Sequence, residues 1–128
     1  MPGEAPPLEP RLAVLGVHER YKQGGGEDAV FDQEMRLLRD RGHRVATFVV
    51  DNDRSISDRP GGLERVRLAK DAVWSSRSAR TLERLVRQHR PDIVHVHNTF
   101  PLLSPSIYGA SRRHGVPVVQ TLHNYRLV

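Results

Sequence analysis

The sequence predicts an α/β fold in which a parallel sheet is covered by helices on both faces, and three observations predict it. Short apolar runs with a period of two alternate along the chain with segments whose apolar residues recur at helical spacing. The clearest helical segment carries acids at its start and basic residues with a glycine at its end, as a helix between two strands should. Polar residues gather just after the strands, and parallel strands deliver those ends to one shared edge.

The first strand is RLAVLGV (11–17), followed by the loop HERYKQGGGED. From Glu27 the spacing changes. Val30, Phe31, Glu34, Met35, Leu37 and Leu38 form a helical stripe, with Glu27 and Asp28 in the first turn and Arg39, Arg41 and Gly42 at the end. RVATFVV (44–50) is the second strand. The polar stretch DNDRSISDRPGG (51–62) is long for a connection inside such a unit, and loops of that length are often functional or mobile. Two helical stripes follow, one on Leu63, Val66, Ala69, Lys70, Val73 and Trp74, the other on Ala79, Leu82, Leu85 and Val86. The third strand is 92–97. Ser104 is expected to cap a short helix with Pro105 at its first position and Gly115 at its end, and the fourth strand lies near 117–122.

Composition bounds the function. A chain of 128 residues, 38% apolar and 5% aromatic, suits one domain with one modest core. No apolar run reaches the length of a membrane span. Residues 1–10 lack the basic start and apolar stretch of a signal peptide and read as a flexible lead-in to a domain over 11–128. The absence of cysteine rules out disulfides and thiolate metal sites and is compatible with a cytoplasmic location. A net charge of +5 directs attention to anionic partners. Nucleic acid is a poor candidate, because stacking aromatics are scarce and no binding module is recognisable.

Four constellations carry chemistry. In PDIVHVHNTF (91–100), strand alternation puts Ile93, His95 and His97 on one face and Val94, Val96 and Asn98 on the other. Two neighbouring imidazoles at a strand end fit a metal site completed by His18 or His123, a hydroxyl-rich ligand, or polar residues that find partners among themselves. Glu19 is the only carboxylate close behind these strand ends in the sequence. In KQGGGED (22–28), Gly24, Gly25 and Gly26 precede a helix N-terminus, where bare backbone and free N–H groups favour a phosphate; a flexible turn has the same composition. Neither the dinucleotide nor the P-loop spacing is present. Arg77, Arg80, Arg84, Arg87 and Arg90 recur at helical spacing opposite the Ala79–Leu82–Val86 stripe, a solvated basic face or a surface for anionic lipid heads. TLHNYRLV (121–128) places His123 and Asn124 after the last strand with little chain behind them, so either the domain is very small or the sequence is a fragment.

GGGEDAVFDQEMRLLRDRGHRV and PDIVHVHNTFPLLSPSIYGASRRHGVPVVQTLHNYRLV, in this order, strongly resemble the N-terminal domain of family-four glycosyltransferases, from about Arg11 to Val128. The resemblance implies a Rossmann-like domain, one half of a two-domain GT-B enzyme. It further implies retaining transfer from a nucleotide-sugar donor to a sugar, lipid-linked or other hydroxyl acceptor, with no metal or cofactor. It would place Gly24, Gly25 and Gly26 against the donor diphosphate and His123 beside the reacting sugar centre. His97, Asn98, Asn124 and Tyr125 would line the acceptor side. The family's C-terminal donor-binding domain is absent from these residues, which implies that the isolated chain is inactive. A cytoplasmic enzyme, peripheral on the inner face of the membrane, is the expected setting. Two other readings stand beside it: a metal-dependent hydrolase using His95, His97 and His123, and a non-catalytic anion- or membrane-binding module built on the arginines.

Overall fold

The computed structural model describes residues 10–20, 25–51, 61–63, 65–66, 76–99 and 103–123. Four strands, β1 (Ala13–Arg20), β2 (Arg44–Asp51), β3 (Ile93–Val96) and β4 (Val118–Gln120), form one parallel sheet in the order β2-β1-β3-β4. Among the described residues, the helices α1 (Gly26–Asp40), α2 (Ser76–His89) and α3 (Ser106–Arg113) complete the α/β, Rossmann-like arrangement that the alternating periods predict. From β1 the chain moves outward to β2, then crosses back to build β3 and β4 on the other side. The strand order therefore reverses between β1 and β3, the place where such sheets bind ligands beyond their strand C-termini.

β1 runs three residues further than the expected 11–17 and begins two later. His18, Glu19 and Arg20 stay in the strand because β2 continues beside them, to Arg20↔Asp51, and because the two buried polar side chains find partners on the helix side and the loop side. β3 and β4 are shorter than expected, although pairing continues past their formal ends through His97 N–H to Val17 O (2.9 Å) and Thr121 N–H to Val96 O (2.9 Å).

The sheet faces differ. Leu15, Val17, Val94 and Val96 are fully buried with Ala79, Leu82 and Val86 of α2 and Ile107 and Ala110 of α3, which together form the main core. On the opposite face α1 brings Phe31 and Met35 down onto Gly16; a Cβ at Gly16 would collide with Met35 Sδ and crowd Phe31 Cε2. Gly16 thus sets how closely α1 approaches. Val30 and Leu37, assigned to the same stripe from the sequence, are exposed, because the helix rests on the narrower Phe31–Met35 line. Leu63 and Val66 of the next expected stripe are exposed as well; its remaining members lie outside the described residues.

α1 and α3 end alike. Gly42 (φ +85°) and Gly115 (φ +67°) take the left-handed position, His43 N–H reaches back to Leu38 O and Val116 N–H to Ser111 O, both at 3.0 Å, a Schellman ending at each helix. The start of α3 differs from expectation. Ser104 has φ +55°, outside the extended region of a helix cap, and Pro105 occupies the cap position; the Ser104 hydroxyl still accepts the Ser106 N–H (3.3 Å). All five arginines of the 77–90 face are exposed. No helix among the described residues is long and apolar enough to cross a membrane.

Candidate functional site at the strand C-terminal edge

The polar residues converge where β1 and β3 end. Alternation sends Gly16 and His18 of β1, His95 of β3 with His97 just past its end, and Thr121 and His123 beyond β4 to the α1 side. His18 is fully buried, stacked on Phe31 (centroids 4.8 Å apart, planes 18° apart), with Nε2 2.6 Å from Asp28 Oδ1 in the first turn of α1. Asn98 Nδ2 points toward Glu27 Oε2 at 3.4 Å. The acids at the start of α1 therefore have specific partners beyond their favourable place in the helix dipole. Glu19, on the opposite face and fully buried, accepts the Leu103 N–H (3.2 Å) and so ties the loop before α3 to β1.

His97 is the centre of the cluster. Its ring is buried, edge-on to Phe31 (5.1 Å), and its Nδ1 lies 3.0 Å from His123 Nε2, so one of these nitrogens donates to the other. On the far side of the ring, Nε2 lies 2.8 Å from Glu34 Oε2, yet neither atom has an aligned hydrogen-bond partner among the described residues. Burial, helped by the neighbouring imidazoles of His95, His123 and His18, lowers the His97 pKa to about 4. The nearby Glu34 carboxylate would pull the other way, but without an aligned N–H it does not outweigh desolvation, and His97 is neutral at pH 7. His95 Nε2 pairs with Thr121 Oγ1 (2.9 Å) and lies 3.8 Å from Glu34 Oε2.

The structure thus brings together His97, His123 and Asn98 with the N-terminal turn of α1, which is capped by Gly25 and begins at Gly26. Gly24, Asn124 and Tyr125 lie outside the described residues. His97 is interior rather than surface-lining; His123 and Asn98 are half-buried. Among the described residues, a Cβ at Gly25 or Gly26 would meet nothing within 4 Å, and Gly25 has an extended backbone (φ −115°). The metal set imagined from the sequence is rearranged. His123 meets His97 at Nδ1, whereas Nε2 of His95 and His97 face Glu34. Glu34 had one sequence signal, a carboxylate on the line of Phe31, Met35 and Leu38. A recess of about 380 Å³ lined by Tyr108, Arg112 and Val116–Val118 shares no residue with the cluster.

The profile of Glycosyltransferase Family 4 matches residues 24–127. The chain belongs to glycosyltransferase family 4. The match spans the helix that follows the glycines, the histidine strand and the LHN segment, and it identifies the domain as a family-four N-terminal domain. Family membership implies a sugar donor and an acceptor as partners in general terms. No curated protein matches the chain. For this glycosyltransferase domain, the edge that holds the histidines is also the edge where the strand order reverses.

Proposed function

We propose that this domain supplies the acceptor side of a retaining glycosyltransferase. It moves a sugar from a nucleotide-activated donor to an acceptor hydroxyl when joined to a C-terminal donor-binding domain. The observation that carries the reading is the His97–His123 contact beside Asn98 and the first turn of α1. In this reading His123 lies against the reacting sugar centre; its Nε2 is engaged with His97, which leaves Nδ1 to face the substrate. Asn98, Asn124 and Tyr125 form the acceptor side, and His97, buried behind them, holds the His123 ring. Gly24, Gly25 and Gly26 let the donor diphosphate approach the α1 N-terminus, whose free N–H groups favour anions. The open space around Gly25 and Gly26 supports that role, since their lack of side chains answers no crowding from the described residues. No metal is assigned a step in the transfer. The enzyme works in the cytoplasm, with the exposed arginine face of α2 resting on anionic lipid.

In the enzyme joined to its donor-binding domain, His123→Ala lowers kcat by about 10²- to 10⁴-fold while the domain stays folded, with the lost His97 contact costing about 1–3 kcal/mol of stability. Residues 1–128 alone give no transfer, because a helix N-terminus contributes only about 0.3–1 kcal/mol at an exposed site. Transfer assays with a panel of nucleotide sugars check both; an undiminished rate in His123→Ala, or turnover by the isolated chain, overturns the assignment.

A further inference from the structure

We propose that Glu34, His95 and His97 form a binding site for one divalent transition-metal ion of the zinc class. Three observations carry it. First, the donor atoms converge. Glu34 Oε2 lies 2.8 Å from His97 Nε2 and 3.8 Å from His95 Nε2, and the ligand atoms of the three residues all fall within 4.8 Å of one another. Zinc–nitrogen and zinc–oxygen bonds of about 2.0–2.1 Å at tetrahedral angles hold neighbouring ligand atoms about 3.3 Å apart, between the two distances to Glu34.

Second, two of the atoms, His97 Nε2 and Glu34 Oε2, are buried without a hydrogen-bond partner among the described residues and face each other. His97 is itself 3% exposed. At 2.8 Å an aligned N–H would make a strong hydrogen bond, but none is formed. A metal shared by two ligands lies off the line that joins them, at the apex of a bent nitrogen–metal–oxygen angle. The misalignment that spoils a hydrogen bond is the geometry a shared ion needs.

Third, the ring is already oriented. Histidine ligands commonly bind metal through one nitrogen and hold a partner with the other, which fixes tautomer and ring plane. His97 does this with Nδ1 against His123 Nε2 (3.0 Å), and the edge of Phe31 closes the ring from the side. Metal binding exchanges the His95–Thr121 hydrogen bond for a coordinate bond and leaves a position for water. A nitrogen–oxygen set without thiolate suits zinc or its neighbours in the first transition row. The ion would hold the ring against which His123 rests, and it is assigned no step in sugar transfer.

The test uses the full chain without an affinity tag, stripped with chelator and titrated with Zn²⁺ by calorimetry. Co²⁺ serves as a spectroscopic probe of coordination number. The expected result is one equivalent bound, with the intense visible absorption of four-coordinate cobalt. Glu34→Ala and His95→Ala should each weaken binding by at least about tenfold, and His97→Ala likewise. His114→Ala, at an exposed histidine beyond α3, leaves binding unchanged. Circular dichroism reports whether each variant is folded; if His97→Ala is not, the other two decide. Absence of stoichiometric binding, or wild-type affinity in Glu34→Ala, overturns the proposal. Because the readout is metal bound, the outcome is independent of whether the transfer reading holds.

Discussion

On one face of the central strands, Leu15, Val17, Val94 and Val96 are fully buried against α2 and α3, with side chains that can do nothing but pack. On the other face of the same strands, Gly16, His18, His95 and His97 meet α1 through a glycine gap and a chain of polar contacts. Both faces are interior, yet only the first is mainly apolar, with Glu19 at its edge as the charged exception. The difference teaches where this fold places its stability and where it places its chemistry. The α2–α3 side holds the sheet, and that leaves the α1 side free to bury imidazoles and carboxylates that gain little from burial.

The largest expected effect breaks the apolar side. Leu82→Ala, at a fully buried position, destabilises by about 2–5 kcal/mol in denaturant titrations and leaves the NMR signals of the His97 and His123 rings in place. Loss of those signals in the folded variant would mean that the two faces are not separable.

Acid distinguishes the faces next. The His97 pKa is lowered from 6.5 to about 4, so between these values the unfolded chain binds a proton that the folded chain does not. The stabilising contribution of the neutral ring is complete above about pH 6.5 and falls as the pH drops toward 4, by about 3 kcal/mol in all, then levels off. Unfolding measured in chelating buffer should show this slope, and His97→Gln should flatten it.

Gly16→Ala probes the α1 approach. The added methyl must displace Met35 and Phe31, at a cost of about 1–3 kcal/mol. Combined with Met35→Ala it should cost less than the two single changes added together, and strict additivity would show that the contact is not what limits the helix.

The smallest effect belongs to neither face. Replacing Arg77, Arg80, Arg84 and Arg87 by alanine, all exposed, should change stability by no more than about 0.5 kcal/mol per site. The same replacement should abolish salt-sensitive binding to anionic liposomes, each basic residue being worth about 1 kcal/mol there. Binding that persists in the variant removes the arginines from membrane docking.

Much of this was legible in the sequence. The four strands, the glycine helix ends and the gathering of His18, His97 and His123 at one edge all follow from period, parity and the residues at the element ends. The partners were not legible. Glu34 is sixty-three positions before His97, and only the closeness of α1, set by Gly16, makes them neighbours. Asp28 and Glu27 read as acids in a helix's first turn, and nothing local says that they serve His18 and Asn98. Strand parity assigns a face, whereas the depth at which a helix sits on that face depends on side chains distant in sequence.

The matched ends of α1 and α3 bear on how relatives of this chain can differ in length. After Gly115 only Val116 and Pro117 precede β4, and the pairing Val94↔Val118 then decides that Thr121 meets His95 and His123 meets His97. One residue added to that short joint would turn the following side chains to the opposite surface, moving His123 away without altering any residue of the site. One residue removed would do the same. Substitutions in the joint are thus far safer than insertions or deletions. What it transmits to the histidines is a count of residues, and an odd change in that count should be as damaging as the loss of His123 itself.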